Sequence, residues 1–215
     1  MFIASKFTSA VTTAIAIVAG VALFCGCEDG GGGGDDVGDN NKDLVVCLGD
    51  SITYGYACDG APYPSQLAAM TGKTVLNYGV PGAQAREGTS RIDSVLSRKP
   101  GYVCILYGAN DAIKEGGSSA NSVKASLRAM IVACKNNKTI PIVATTPPMI
   151  REHSLFDGGA RAINEAIRSV ASEEGARLVD LYGPFGSGEE YLGPDGLHPN
   201  GAGAELIAKC FAGAL

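Results

Sequence analysis

Five short apolar, β-branched-rich runs punctuate the chain at residues 44–48, 74–77, 102–107, 141–145 and 177–180, each closing near Gly, Asn, Thr or Asp. Runs of that length without polar alternation predict strands buried on both faces, as in a parallel sheet. Between them the spacing turns helical. In residues 121–135, Val123, Leu127, Met130, Ile131 and Cys134 fall on one face, and Ala162, Ile163, Ala166, Ile167 and Val170 repeat the pattern. Asn200 is placed to cap a last helix that buries Leu206, Ile207, Cys210 and Phe211. Strand and helix alternate in units of about 30–38 residues, which predicts right-handed crossovers. The expected fold is α/β, a three-layer α/β/α sandwich on a five-stranded parallel sheet. Ligands bind such sheets at the carboxyl ends of the strands, so chemistry is expected directly after each run.

The first 42 residues do not share this pattern. Lys6 is followed by an uncharged stretch that ends at Cys25-Gly26-Cys27, so residues 1–27 are expected to be a targeting segment. Gly26-Cys27 resembles the end of a bacterial lipobox, where the cysteine is lipid-modified and becomes amino-terminal. An uncleaved membrane anchor and an ordinary signal peptide stay open, since the stretch is long enough to span a bilayer and Phe24 stands where a lipobox carries Leu. Residues 28–42, rich in Gly and acid, are expected to form a flexible spacer, and 43–215 the domain. Its five consecutive glycines are no phosphate cradle, because no Gly-Lys-Ser/Thr follows.

Composition narrows the class. With 46% hydrophobic and 18% charged residues the chain can build a core. A net charge of -5 and the lack of a basic stripe argue against nucleic acid as a partner. The only expected membrane contact is through the lipid or signal anchor, on an exported protein of the bacterial envelope. The domain carries five cysteines, Cys47, Cys58, Cys104, Cys134 and Cys210, an odd number that cannot all pair internally. Cys47 and Cys104 lie in apolar runs and are expected to act as small buried hydrophobes. There is no C-x-x-C and there are only two histidines, so no metal or other cofactor is expected.

Four polar blocks follow the strands: Gly49-Asp50-Ser51-Ile52-Thr53, then 77–82 with Gly79 and Gly82, then Gly108-Ala109-Asn110-Asp111, and finally Asp195-Gly196-Leu197-His198-Pro199-Asn200. Each has a bland explanation alone: a helix cap for Ser51 or Asn110, a turn for Gly82, an exposed loop for His198. Together they supply a serine, a base, an orienting carboxylate and oxyanion donors, the components of an acyl-transfer site. The three-residue step from Asp195 to His198 lets a short loop bring the carboxylate beside Nδ1 and leave Nε2 facing the serine. An α/β-hydrolase elbow is excluded, because Thr53 stands where G-x-S-x-G needs glycine.

The G-D-S-I-T, G-A-N-D and D-G-L-H-P-N blocks, with Tyr63-Pro64 and Leu67, resemble the SGNH (GDSL-type) hydrolases over essentially the whole domain. The resemblance implies a flavodoxin-like strand order 2-1-3-4-5, with Ser51 as nucleophile, His198 as general base and Asp195 as its partner. It implies an oxyanion hole from Ser51 N–H, Gly82 N–H and the Asn110 amide, Gly82 being preferred over Gly79 because it lies five residues after Asn77. The implied reaction is hydrolysis of a small-molecule carboxylic ester through an acyl-serine. A thioesterase or lysophospholipase on the same site, and a non-catalytic ligand-binding lipoprotein, are the alternatives. Ala83-Gln84 matches neither the Asp-Thr of thioesterase-like members nor the Arg-Ser of sugar acetylesterases. Tyr54, Tyr56, Tyr63, Met149, Ile150 and Phe156 are candidates to line an acyl pocket, and His153 is expected in a variable loop.

Overall fold

The computed structural model describes residues 36–215 of the chain. The targeting segment, Cys27 and most of the spacer lie outside the described residues. Five parallel strands, β1 (Asn41–Gly49), β2 (Thr74–Gly79), β3 (Pro100–Leu106), β4 (Ile140–Ala144) and β5 (Arg177–Val179), form one sheet in the order β2-β1-β3-β4-β5. Val45, Val46, Cys47 and Leu48 of β1 are fully buried, as a central strand covered on both faces requires.

Helices cover the two faces. On one, α2 (Tyr63–Thr71) packs against α8 (Gly201–Ala212), with Tyr63 stacked on Phe211. On the other, α3 (Ala85–Leu96), α5 (Ala120–Asn136) and α6 (Asp157–Glu174) lie side by side. The face of α5 read from the sequence is the face it buries. The Asn200 side chain accepts from Gly203 N–H and starts α8. Three short helices, α1 (Ser51–Tyr54), α4 (Ala109–Glu115) and α7 (Tyr182–Phe185), begin just past strands β1, β3 and β5. Cys47 and Cys104 are register partners on neighbouring strands and fully buried. Both are free thiols, and burial pushes the Cys104 thiol well up.

Residues before 43 already pack against the sheet. β1 begins at Asn41, Val37 is buried, and Asn40 Nδ2 donates to Asn137 O at 2.7 Å. The first three positions of β1 are exposed and polar, which hides them inside the spacer's composition. β3 likewise starts at Pro100, a first-strand position where the missing N–H costs no ladder bond.

Register places the site. Gly49 is level with Gly79 of β2 and Leu106 of β3, so these three neighbouring strands end on one rim. Ser51, Gly82 and Asn110 all follow that rim.

Candidate active site

Ser51 opens α1, whose N-cap is Asp50, with Oδ1 accepting from Ile52 N–H at 2.9 Å. The end of β2 holds α1 in place. Asn77 Nδ2 donates to Tyr54 O at 3.3 Å, and Gly79 packs so closely that a Cβ there would stand 2.1 Å from Tyr54 N. Gly79 therefore serves a close approach of β2 to α1.

His198 Nε2 lies 3.0 Å from Ser51 Oγ, and Nδ1 lies 2.6 Å from Asp195 Oδ2. A carboxylate only accepts, so Nδ1 carries the proton and Nε2 offers its lone pair to the serine hydroxyl. Asp195 Oδ1 accepts the N–H groups of Leu197 and His198, both at 3.0 Å, which is how a three-residue step folds back on itself. Partial burial alone pushes the Asp195 carboxyl up, but its bonds from His198 and from the Leu197 and His198 N–H groups outweigh that and hold it below its ordinary value. Asp195 is thus an anion in place beside the imidazole. Tyr56, more than half exposed, lays its ring 4.9 Å from the His198 ring at 58°.

The remaining predicted residues lie on the same rim. Gly82 sits at φ +79 with open space where a Cβ would be. Among the described residues neither its N–H nor that of Ser51 is bonded to protein. The Asn110 side chain does not cap α4, whose N-cap is Gly108. Its Nδ2 donates to Ala83 O at 3.0 Å and makes a long contact of 3.4 Å to Asp50 Oδ2. One amide hydrogen thus fixes the group, while the other is only weakly engaged. Lys114 Nζ to Gly82 O at 2.9 Å and Ala85 N–H to the buried Asp111 carboxylate complete a set of bonds from α4 to the loop that carries Gly82.

Asp50 is a residue that sequence reasoning took only as part of a motif. Burial pushes its carboxyl up to about 7, helped by the nearby Asp111 charge and opposed by the Ile52 N–H and the Asn110 amide. Three of the proposed pocket residues are largely covered by the fold. Tyr63 and Met149 are buried, Tyr63 bonding Thr53 Oγ1 at 3.0 Å in the core beneath α1, and Ile150 packs against the core. Ala83-Gln84 has a structural use: buried Gln84 caps α3 in a reciprocal box with Glu87 and bonds Glu115. His153 is not in a free loop, its Nδ1 lying 2.8 Å from Asp195 O. Among the described residues no three His, Cys, Asp or Glu side chains converge in a way that could hold a metal ion.

Residues 47–206 match the GDSL-like lipase/acylhydrolase family, a span that takes in every residue of this rim. The chain belongs to that family. A GDSL-family lipolytic protein of Desulfitobacterium hafniense superposes with a TM-score of 0.70 at 27% identity, covering 81% of this chain and all of that one. An acetylxylan esterase of Xylanibacter ruminicola is 27% identical over 80% of this chain, which spans only 42% of that longer protein. An uncharacterised lipoprotein of Bacillus subtilis is 29% identical over 66% of this chain and 71% of its own length. The Desulfitobacterium hafniense protein therefore shares this fold from end to end, whereas the Xylanibacter ruminicola esterase carries more than half its length outside the shared region.

Proposed function

We propose that the protein is a serine esterase that hydrolyses carboxylic esters through an acyl-serine intermediate. The observation that carries this reading is the unbroken chain from Ser51 Oγ through His198 to Asp195, at 3.0 and 2.6 Å. Ser51 Oγ attacks the ester carbonyl as its proton passes to His198 Nε2. Asp195 keeps the imidazole in the Nδ1–H tautomer and stabilises the imidazolium that forms. Negative charge on the carbonyl oxygen is met by the N–H groups of Ser51 and Gly82 and by the Asn110 amide. Collapse expels the alcohol, which takes the proton from His198. Water then repeats the sequence on the acyl-serine, with His198 as base, and releases the acid.

Every proton and charge in this scheme is handled by side chains or backbone, so EDTA is expected to leave the rate unchanged. The test is a nitrophenol burst from nitrophenyl acetate, with covalent capture of Ser51 by a fluorophosphonate. Folded protein that gives neither is a ligand-binding domain, and the reading fails.

The acetylxylan esterase among the relatives supports an acetylated carbohydrate as the substrate class. Comparing acetylated xylooligosaccharides with lysophospholipids and thioesters decides this, a preference for either of the latter overturning it. The lipoprotein relative supports export and a lipid-modified Cys27 on a bacterial envelope membrane. No helix among the described residues is long and apolar enough to cross a membrane.

A further inference from the structure

The turn that carries Asp195 is held from outside by one short segment. Within the turn, Gly193 N–H donates to His198 O at 2.8 Å and Gly196 N–H to Gly193 O at 3.0 Å. Its outward carbonyls are met by residues 150–153, which follow β4. Ile150 N–H donates to Gly196 O at 2.9 Å, Arg151 Nη1 to Gly193 O at 2.6 Å, and His153 Nδ1 to Asp195 O at 2.8 Å. A backbone carbonyl can only accept, so His153 Nδ1 must carry a hydrogen.

Two backbone features show that this contact is imposed by the fold. Gly196 lies at φ +70, and a Cβ there would stand 2.2 Å from Ile150 O, so no other residue permits the approach. Arg151 lies at φ +50, a left-handed conformation that costs a non-glycine residue energy and persists only where its surroundings demand it. Its guanidinium also pairs with Glu189, and the His153 ring leans on Phe156 at 6.2 Å.

We infer that His153 is a positioning residue for the reaction, holding the main chain of Asp195 so that its carboxylate stays in register with His198. This rests on the triad proposed above. The Asp195 side chain is one-third exposed and sits on a surface turn, and the groups that bond its carboxylate, Leu197 N–H, His198 N–H and the His198 ring, belong to that same turn, so the hold on the turn from outside sets where the pair stands. His153 is the anchor on Asp195 itself. Displacement of a catalytic group by about 1 Å costs on the order of a hundredfold in rate.

The test uses the full chain with three substitutions. His153→Phe keeps a ring against Phe156 and removes the donor, His153→Ala removes both, and His153→Asn restores an N–H close to the Nδ1 position. Both Phe and Ala are expected to lower kcat for nitrophenyl acetate by about ten- to a hundredfold with KM unchanged, and Asn to recover most of the loss. In proton NMR, the far-downfield signal of the short His198 Nδ1–H to Asp195 bond should move upfield or broaden in the Phe variant and return in the Asn variant. A folded Phe variant with the kcat and the downfield proton of the unsubstituted protein overturns the inference. So does an Asn variant as impaired as the Phe variant. An unsubstituted protein that neither hydrolyses the ester nor captures fluorophosphonate counts instead against the proposed esterase.

Discussion

Asn110 has one amide hydrogen committed to Ala83 O and the other in a long bond to Asp50 Oδ2, and it is this second hydrogen that the proposed mechanism turns to the oxyanion beside the N–H groups of Ser51 and Gly82. Charge builds on the carbonyl oxygen only in the transition state. Asn110→Ala should therefore lower kcat by about 10²–10³ with KM little changed, while Asn110→Asp should be worse because a carboxylate repels the oxyanion. Steady-state kinetics and a thermal midpoint on the same sample check this, since a lowered midpoint with kcat intact would assign Asn110 to stability alone. Asp50 carries a different prediction. Its carboxyl is raised from 3.8 to about 7 by burial, so between those values the native state keeps a proton that the unfolded chain has lost. Stability then falls as pH rises through that window, by on the order of 4 kcal/mol once pH exceeds 7. In Asp50→Asn the amide oxygen can still cap Ile52 N–H, and no charge is buried. The variant should melt higher than the unsubstituted protein at pH 8 and close to it at pH 4, and equal midpoints at pH 8 would refute the cause given for the shift. None of this was legible in the G-D-S-I-T motif. The motif names an acid beside the nucleophile, but burial is decided by what α4 and the neighbouring loop place over it.

At the scale of elements, the rim works because parallel register makes three strand ends level and each end carries a different piece of the site. This is why the blocks could be read from sequence. A parallel sheet brings the residues after β1, β2 and β3 together whatever the helices between them look like. Strand edges were less legible, since β1 opens with exposed Asn41, Lys42 and Asp43, which carry no hydrophobic signal. The two glycines of the second block now separate. Gly79→Ala drives a methyl into the backbone of α1 at Tyr54, and overpacking of this kind costs about 1–3 kcal/mol. Because α1 carries Ser51, kcat should fall together with the midpoint. Gly82→Ala meets no neighbour and faces only the left-handed backbone penalty of about 1–2 kcal/mol. Its fluorophosphonate labelling should persist while kcat drops, as the N–H turns away from the oxyanion. If Gly79→Ala leaves both midpoint and kcat unchanged, β2 does not hold α1 in the way the packing indicates.

Across the whole molecule the site and the entry of the chain lie at opposite ends of the sheet. Asn41 N–H bonds Lys99 O and Asp36 pairs with Lys138 at the amino ends of the strands, whereas Ser51 follows the carboxyl end of β1. Nine residues of strand separate the two by roughly 30 Å. What the sequence could not reveal sits at this scale. The bond from His153 to Asp195 spans 42 residues and joins a short 3-10 helix, Arg151–Phe156, to an irregular turn, neither of them long enough to show a periodicity. Tyr63 is near Ser51 in sequence, yet its burial beneath α1 comes from the way α2 turns it toward Thr53. The polarity of the domain also bears on the anchor proposed at Cys27. A lipid there would tether the end of the domain remote from Ser51 and leave the catalytic rim facing away from the attachment point, toward soluble esters. Cys27→Ala should accordingly move the protein from the membrane to the soluble fraction while kcat and KM for nitrophenyl acetate stay as they were. Fractionation with kinetics on both fractions, and intact mass of the membrane-extracted protein, make the check. A protein that stays with the membrane after the substitution, or an unsubstituted one whose mass carries no lipid at Cys27, contradicts the anchor. A soluble variant with a changed kcat contradicts the separation of tether and site.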